Sequence, residues 1–281
     1  MMSSCRALVK SCRLALVLAI VASLLLTGCA SLRGESSHAL SRIVESGVLR
    51  VGMSGNQPPL NATSRTGELI GMEADLARML ANAMGVRAEL IAKPFPELLD
   101  ALEAGEFDMV ISGITITPPR NMVVAFAGPY FISGKSILTR SETLARATRP
   151  SDINDTELRL AALAGSTSQL FVEGLIPQAT LVPTQSYDEG ITLLRTGKVH
   201  ALVADFPICL LSALKYRDEG LVTLAAPLSV EPVGIALPAN DPLFINLVQN
   251  YVNALQQTGL LTELRAHWFD DAGWMKRLRE R

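Results

Sequence analysis

Two segments of this chain repeat the same order of features, and this repeat constrains the fold more than any other part of the sequence. The segments are LEAGEFDMVISG (102–113) and LRTGKVHALVAD (194–205), which stand 92 positions apart. Each has the pattern of a helix end, a glycine, a charged residue and then a buried strand. The repeat predicts two lobes built on one plan, with Gly113 and Asp205 at equivalent strand exits.

Helical and strand patterns alternate around this repeat, which predicts an α/β fold with mainly parallel sheets flanked by helices. We expect a discontinuous first lobe (41–136 and 232–270), a second lobe (137–231) and a C-terminal tail (271–281). Two strand-like crossings would form the hinge. Ligands of open α/β sheets bind beyond the carboxyl ends of the strands. A cleft between the two lobes is therefore the expected binding place.

The first 28 residues follow the order of a secretory signal, with basic residues first, an apolar core at 14–27 and small residues at its end. The sequence LTGC (26–29) resembles the lipobox of bacterial lipoproteins, which implies that Cys29 carries lipid. We expect residues 1–28 to be removed and residues 29–40 to form a lipid-anchored tether. The protein would then be anchored to a membrane of the cell envelope and face the periplasm or extracytoplasmic space. A retained spanning helix is the alternative, because the uncharged run reaches Leu32.

Charge and composition exclude several classes of protein. The signal contains three basic and no acidic residues, so its removal changes 25 basic and 27 acidic residues to 22 and 27. A net charge of −5 with scattered basic residues argues against nucleic acid as a partner. Cys209 would have no cysteine partner after export, so we expect no disulfide. The three histidines are far apart in the sequence, and we expect neither a metal site nor a cofactor.

The stretch SGITITPPR (112–120) brings hydroxyl residues, prolines and an arginine to the exit of a buried strand. Thr117 suits the N-cap of a helix and Pro118 its first position, so free N–H groups would face the exit. Arg120 adds a planar fork that matches a carboxylate with two parallel hydrogen bonds. The pattern indicates a carboxylate-binding site, and a plain turn with one solvated arginine is the alternative.

This stretch resembles the S-G-[MI]-T-I-T-P-E-R segment of bacterial extracellular solute-binding proteins of family 3, the polar amino-acid receptors of ABC importers. Other motifs of the family follow in order over about residues 40–270. They are GMEADLA (71–77), FAGPY (126–130), GST (165–167), DFP (205–207), GIAL (234–237) and WF (268–269). The resemblance implies a two-lobed, type II periplasmic-binding-protein-like fold.

The resemblance also implies roles for residues of the first lobe. Thr115 and Arg120 would bind the α-carboxylate of an amino acid, and the strand exit at Ser112 and Gly113 would receive its α-ammonium group. Phe95 stands where the family packs an apolar or aromatic wall on the ligand. Simple core packing is the alternative for Phe95.

In the second lobe, the glycine-hydroxyl-threonine turn of the family matches residues 165–167. The resemblance therefore makes Ser166 and Thr167 ligand-binding residues, with Thr167 closing over the carboxylate. Asp205 would accept a hydrogen bond from the ammonium group. A helix cap before the next helix is the alternative for Asp205.

The chain departs from the family pattern in the loop SGNQPPL (54–60), which lacks the aromatic residue of many relatives. It also lacks the acid that relatives specific for cationic amino acids often carry near Ser54. Asn56, Gln57 and Phe95 indicate a ligand with a polar, uncharged side chain, and we count Gln57 among the ligand-binding residues. Pro119 replaces the usual glutamate and alters the start of the helix.

The resemblance implies a lipid-anchored receptor, not an enzyme, that works as a monomer and delivers an amino acid to ABC permease subunits. One alternative is an enzyme like the cyclohexadienyl dehydratases, which resemble this family and need a general acid in the cleft. Glu173 and Asp205 are the second-lobe candidates for that acid. The other alternative is a ligand-sensing module for a separate signalling partner. The phosphate-loop-like run GPYFISGKS (128–136) has the wrong spacing and leads into a strand pattern, so we reject nucleotide binding.

Overall fold

The computed structural model describes residues 38–271 and 273–278. The predicted signal peptide, the lipid attachment at Cys29 and most of the predicted tether lie outside these residues. Among the residues that are described, no helix combines the length and the apolar character needed to cross a membrane.

Helices and strands alternate along the first part of the described chain. Its elements are α1 (His38–Ser46), β1 (Val48–Met53), β2 (Asn56–Gln57), β3 (Asn61–Thr63), β4 (Leu69–Ile70), α2 (Met72–Ala83), β5 (Arg87–Ala92), α3 (Leu98–Glu103), β6 (Met109–Val110), α4 (Pro118–Asn121) and β7 (Ala125–Ser133). A 3₁₀ turn, Phe95–Glu97, precedes α3.

The same alternation continues through the second part of the chain. Its elements are β8 (Lys135–Thr139), β9 (Arg159–Leu163), α5 (Thr167–Leu175), β10 (Thr180–Thr184), α6 (Tyr187–Arg195), β11 (Ala201–Asp205), α7 (Phe206–Lys215), β12 (Val222–Thr223), β13 (Glu231–Leu237), α8 (Pro242–Thr258) and α9 (Leu260–Phe269). A final 3₁₀ helix, Gly273–Arg277, packs Trp274 against Trp268, with the two rings 5.3 Å apart.

Two five-stranded sheets share one topology. The first has the order β5-β1-β6-β13-β7 and the second the order β10-β9-β11-β8-β12. In each sheet the first three strands are parallel and the remaining pairings are antiparallel. The strands of the sequence repeat, β6 and β11, both occupy the third place. The predicted common plan and α/β class are therefore confirmed.

The chain passes between the two sheets at two points. Gly134 separates β7 of the first sheet from β8 of the second, and the segment 224–230 leads back from β12 to β13. An ideal Cβ at Gly134 would lie 2.0 Å from the carbonyl oxygen of Ser229, so the two crossings pack too closely for a side chain. These crossings lie beside the predicted lobe boundaries at 136 and 231, and the lobe assignment itself stays a prediction.

Apolar packing continues from one sheet to the other. One buried group belongs to the first sheet and its helices, and another to the far side of the second sheet. A third group combines Phe95, Phe107 and Val110 with Leu163 and Tyr187. Because these residues come from both sides of the cleft, the structure has its two halves in contact.

Candidate functional site

The exit of β6 is held by the residues around it. Ser112 is fully buried, and its hydroxyl accepts a hydrogen bond from the Ser54 N–H at 2.9 Å. Gly113 has a φ of +59°, and its N–H donates to Glu73 Oε1 at 2.7 Å. An ideal Cβ at this position would lie 2.4 Å from Gln57 Oε1, so both the backbone angle and the close approach require glycine. Both predicted residues are therefore held at the strand exit, and their role in binding a ligand stays a prediction.

The turn after the exit places Arg120 as the sequence predicts. The Thr117 side chain accepts from the Arg120 N–H at 3.4 Å, and Pro118 is the first helical residue, so the predicted cap is confirmed. Arg120 Nη1 donates to the Thr115 carbonyl, and Nη2 donates to the Gly165 carbonyl on the other side of the cleft, both at 3.0 Å. Each of these nitrogens keeps a second N–H, which leaves the fork able to bind a carboxylate.

Electrostatics around Arg120 come from both halves of the molecule. Burial lowers the pKa of Arg120, while the nearby carboxylates of Asp205 and Glu231 oppose that shift. The guanidinium carbon lies 5.9 Å from the ring centre of Phe95, within the range of a cation–π contact. Phe95 is buried in the apolar group shared by both sheets. It therefore packs in the core and supports Arg120 at the same time.

The two hydroxyl residues of the turn at 165–167, Ser166 and Thr167, make different contacts. Ser166 caps α5, because its Oγ accepts from the Ser168 and Gln169 N–H groups and donates to the Leu163 carbonyl. These bonds stay within the second half of the molecule. Thr167 instead faces the cleft, where its Oγ1 lies 3.1 Å from Thr115 Oγ1.

Asp205 lies at the end of β11, buried and facing the cleft. Asp205 occupies the N-cap position of α7, as the alternative predicts, but its side chain makes no cap hydrogen bond to the helix. Asp205 Oδ1 is 2.5 Å from Lys135 Nζ. Sequence reasoning missed this lysine, which lies in the rejected phosphate-loop-like run.

Glu231 is the second residue, after Lys135, that sequence reasoning missed. Its Oε2 accepts from Thr115 Oγ1 at 2.9 Å and from Thr167 Oγ1 at 3.0 Å, and it lies 3.3 Å from Lys135 Nζ. Burial raises the pKa of Glu231, but Lys135 and the two hydroxyls outweigh it and hold this pKa below the ordinary value. An acid beside Pro232 at a strand start was the available signal, but it did not point to a partner.

A third carboxylate, Glu73, lies beneath the strand exit in the first half of the molecule. It accepts hydrogen bonds from the Tyr130 hydroxyl, from Asn61 Nδ2 at 2.5 Å and from the Gly113 N–H. Burial raises the pKa of Glu73 despite these three donors. Gln57 lies beside this cluster, 2% exposed, and its Oε1 has no hydrogen-bond partner among the described residues. Gln57 therefore offers a buried acceptor at the strand exit.

Glu173, a candidate general acid, does not reach the cleft. It is exposed on α5, and its Oε1 accepts from Gln169 Nε2 at 2.8 Å. Cys209 is buried, and burial raises the pKa of its thiol to about 12. Within 38–271 and 273–278, no group of three or more His, Cys, Asp or Glu residues could hold a metal ion.

Comparisons with known proteins match this chain over most of its length. The sequence model of the bacterial extracellular solute-binding proteins, family 3, matches residues 49–271. Cyclohexadienyl dehydratase of Pseudomonas aeruginosa is 26% identical over 253 residues, which cover 89% of this chain and 92% of that protein. The L-cystine-binding protein TcyJ of Escherichia coli is 27% identical over 82% of this chain and 85% of its own.

A solved structure of a related protein is also similar to this chain. The ancestral amino acid-binding protein AncCDT-1, described as a precursor of cyclohexadienyl dehydratase, superimposes with a TM-score of 0.75 at 30% identity. The match covers 82% of this chain and 99% of that structure. The predicted two-lobed fold of type II periplasmic binding proteins is therefore confirmed.

Proposed function

Because this chain belongs to the bacterial extracellular solute-binding proteins of family 3, we propose that it is the substrate-binding component of an ABC importer. It captures an amino acid or a closely related small acid between its lobes and presents the closed form to the permease. Relatives of the chain include binding proteins named for cystine, arginine and glutamine. The amino acids in these names all have an α-carboxylate beside an α-ammonium group.

One observation carries the proposal: groups from both sides of the cleft meet where these two charges would bind. Thr115 and Arg120 come from the first half, and Thr167 and Gly165 from the second. The ligand's carboxylate binds the free N–H groups of Arg120. Its ammonium group binds the acidic residues beside Lys135. Binding favours the closed form, because only that form brings both sides to the ligand.

The buried amide of Gln57 supports a ligand that carries a hydrogen-bond donor, as a polar, uncharged side chain does. Its Oε1 lies at the strand exit without a hydrogen-bond donor among the described residues. A buried acceptor without a donor costs about 1–3 kcal/mol. A ligand that donates to Gln57 Oε1 recovers this free energy, whereas an apolar side chain does not.

The family relationship also fits export. LTGC (26–29) supports cleavage before Cys29 and acylation of that residue, although these residues lie outside the described part of the chain. Stable anchoring by lipid requires more than one acyl chain. Mass spectrometry of the mature protein, with Cys29→Ser as the control, would detect the acyl groups; an unmodified Cys29 contradicts the anchor.

The dehydratase relative makes an enzyme the second candidate. Water elimination from a cyclic acid needs a proton donor in the cleft. Glu173 is exposed on α5, and the Asp205 carboxylate accepts a hydrogen bond from Lys135 Nζ at 2.5 Å. Lys135 also holds Glu231 in its ionised form, which is the wrong form for a donor. We therefore expect no turnover of prephenate by the purified protein; turnover above that of an Arg120→Ala variant would favour the enzyme.

The binding function is tested by a thermal-shift screen of the twenty amino acids and related small acids, followed by calorimetry. Arg120→Ala should lower the affinity for the ligand found by about 2–5 kcal/mol, the range for truncating one partner of a buried charged pair. Arg149→Ala is the control, because this arginine is 76% exposed and pairs with Asp152 at the surface. Unchanged affinity in Arg120→Ala would contradict the carboxylate clamp.

A further inference from the structure

The cleft contains two carboxylates that share one built-in ammonium group. Lys135 Nζ lies 2.5 Å from Asp205 Oδ1 and 3.3 Å from Glu231 Oε2. We call Lys135, Asp205 and Glu231 the hinge cluster, since Lys135 begins β8 and Glu231 begins β13, directly after the two crossings. Its formal charge is −1. Arg120, which donates to carbonyl oxygens nearby, supplies the balancing positive charge.

Lysine in this position needs an explanation. Its side chain is 1% exposed, and lysine is almost never fully buried unless it is paired. Removing an ammonium group from water costs several kcal/mol, which pairing recovers only with good geometry. The ammonium group is therefore most simply explained by the two acids it neutralises.

We propose that Lys135 is a specificity-determining residue, whose ammonium group occupies the place that a second positive charge of a ligand would otherwise take. The site then accepts amino acids with one positive charge and rejects those with a cationic side chain. This inference rests on the proposed function, in which Arg120 binds the carboxylate of the ligand and the hinge cluster binds its ammonium group.

Charge changes in the hinge cluster give a graded series. Lys135→Met keeps an unbranched side chain of similar length and takes the cluster from −1 to −2. Glu231→Gln keeps an acceptor for Thr115 and Thr167 and takes the cluster to 0. The double variant returns to −1. A charge of −2 favours a ligand with two ammonium groups, −1 favours one, and 0 favours an acid without an α-amino group.

Calorimetry with three probes of similar length tests the series: L-ornithine, L-glutamine and glutaramate, which is glutamine without its α-amino group. Lys135→Met should raise the ratio of ornithine to glutamine affinity by at least about tenfold, since juxtaposed like charges cost several kcal/mol. The double variant should restore the ratio of the parent. Glu231→Gln should raise the ratio of glutaramate to glutamine affinity. Lys198→Met, at an exposed position of the second lobe, is the control.

The results separate this inference from the function on which it rests. An unchanged ornithine ratio in folded Lys135→Met overturns the inference, and so does a changed ratio that the double variant fails to restore, because space and not charge would then explain it. If Lys135→Met does not fold, Glu231→Gln decides in the same way by its glutaramate ratio. A parent protein that binds no compound of the amino-acid screen overturns the proposed function, and the inference with it.

Discussion

A buried glutamate, Glu73, and a partly buried one, Glu231, lie beside the cleft, and the protein stabilises them in different ways. Glu73 is surrounded by neutral donors, the Tyr130 hydroxyl, the Asn61 amide and the Gly113 N–H, all from the first half of the molecule. Burial outweighs these donors and raises the pKa of Glu73. Glu231 instead has a cation beside it, and its pKa is lowered.

The partners of Glu231 come from both sides of the cleft. Thr115 belongs to the turn after β6, whereas Thr167 and Lys135 belong to the second half. The contacts of Glu73 therefore exist whether or not the cleft is closed, whereas the contact of Glu231 with Thr167 depends on closure. The comparison indicates that one acid fixes the shape of the strand exit and the other senses the position of the second lobe.

The largest effect that would test this division is on folding stability. Glu73→Ala leaves three buried donors without an acceptor, and each unsatisfied group costs about 1–3 kcal/mol. We expect the free energy of unfolding to fall by at least about 3 kcal/mol, measured by urea denaturation without ligand. Glu89→Ala is the control, because Glu89 is 48% exposed and makes a surface ion pair with Arg87. Equal stability of the two variants would contradict the proposal that Glu73 stabilises the fold around the strand exit.

The scaffold was more predictable from the sequence than the charges of the cleft. The strand Val48–Met53 and the common plan of the two sheets follow from local periodicity and from glycine at helix ends. Of three strands that contain proline, Ala125–Ser133 and Thr180–Thr184 are the less evident, because within sheets proline is confined mainly to edge strands, strand starts and bulges. Both lie at the edges of their sheets.

The hinge cluster could not be predicted for a different reason. Lys135 and Glu231 stand far apart in the sequence and meet because both crossings pass between the same two sheets. No local pattern encodes such a pair. Resemblance to a family directed attention to Asp205 as an acceptor, but Asp205 accepts from a lysine on the neighbouring strand of its own sheet.

A smaller effect is expected from the contacts that cross the cleft. Thr167→Ala removes a hydroxyl that donates to the Glu231 carboxylate at 3.0 Å. Hydrogen bonds to charged groups contribute about 1.5–3 kcal/mol, and this one stabilises the closed form that binds the ligand. Ligand affinity measured by calorimetry should therefore fall by up to about that amount. Thr167→Ser keeps the hydroxyl and should bind close to the parent. An equal loss in both variants would assign the effect to the methyl group and weaken the proposed contrast with Glu73.

The smallest effect, and the one that compares the two acids directly, is on the pH dependence of stability. Glu73 has a folded-state pKa above the ordinary value of 4.5, so the folded protein binds more protons just above pH 4.5 and loses stability as the pH rises through that folded-state pKa. Glu231 has a folded-state pKa below 4.5, so its contribution is present above pH 4.5 and is lost as the pH falls through the lowered pKa.

Unfolding free energies of the parent, Glu73→Gln and Glu231→Gln between about pH 3 and pH 8 should therefore diverge on opposite sides of pH 4.5. One titrating group changes the slope by at most about 1.4 kcal/mol per pH unit. Glu73→Gln should flatten the loss of stability above pH 4.5, and Glu231→Gln should flatten the loss below it. Because other carboxylates titrate equally in all three proteins, differences from the parent isolate each glutamate. Differences that fall on the same side of pH 4.5 would show that the two acids are not stabilised in opposite ways.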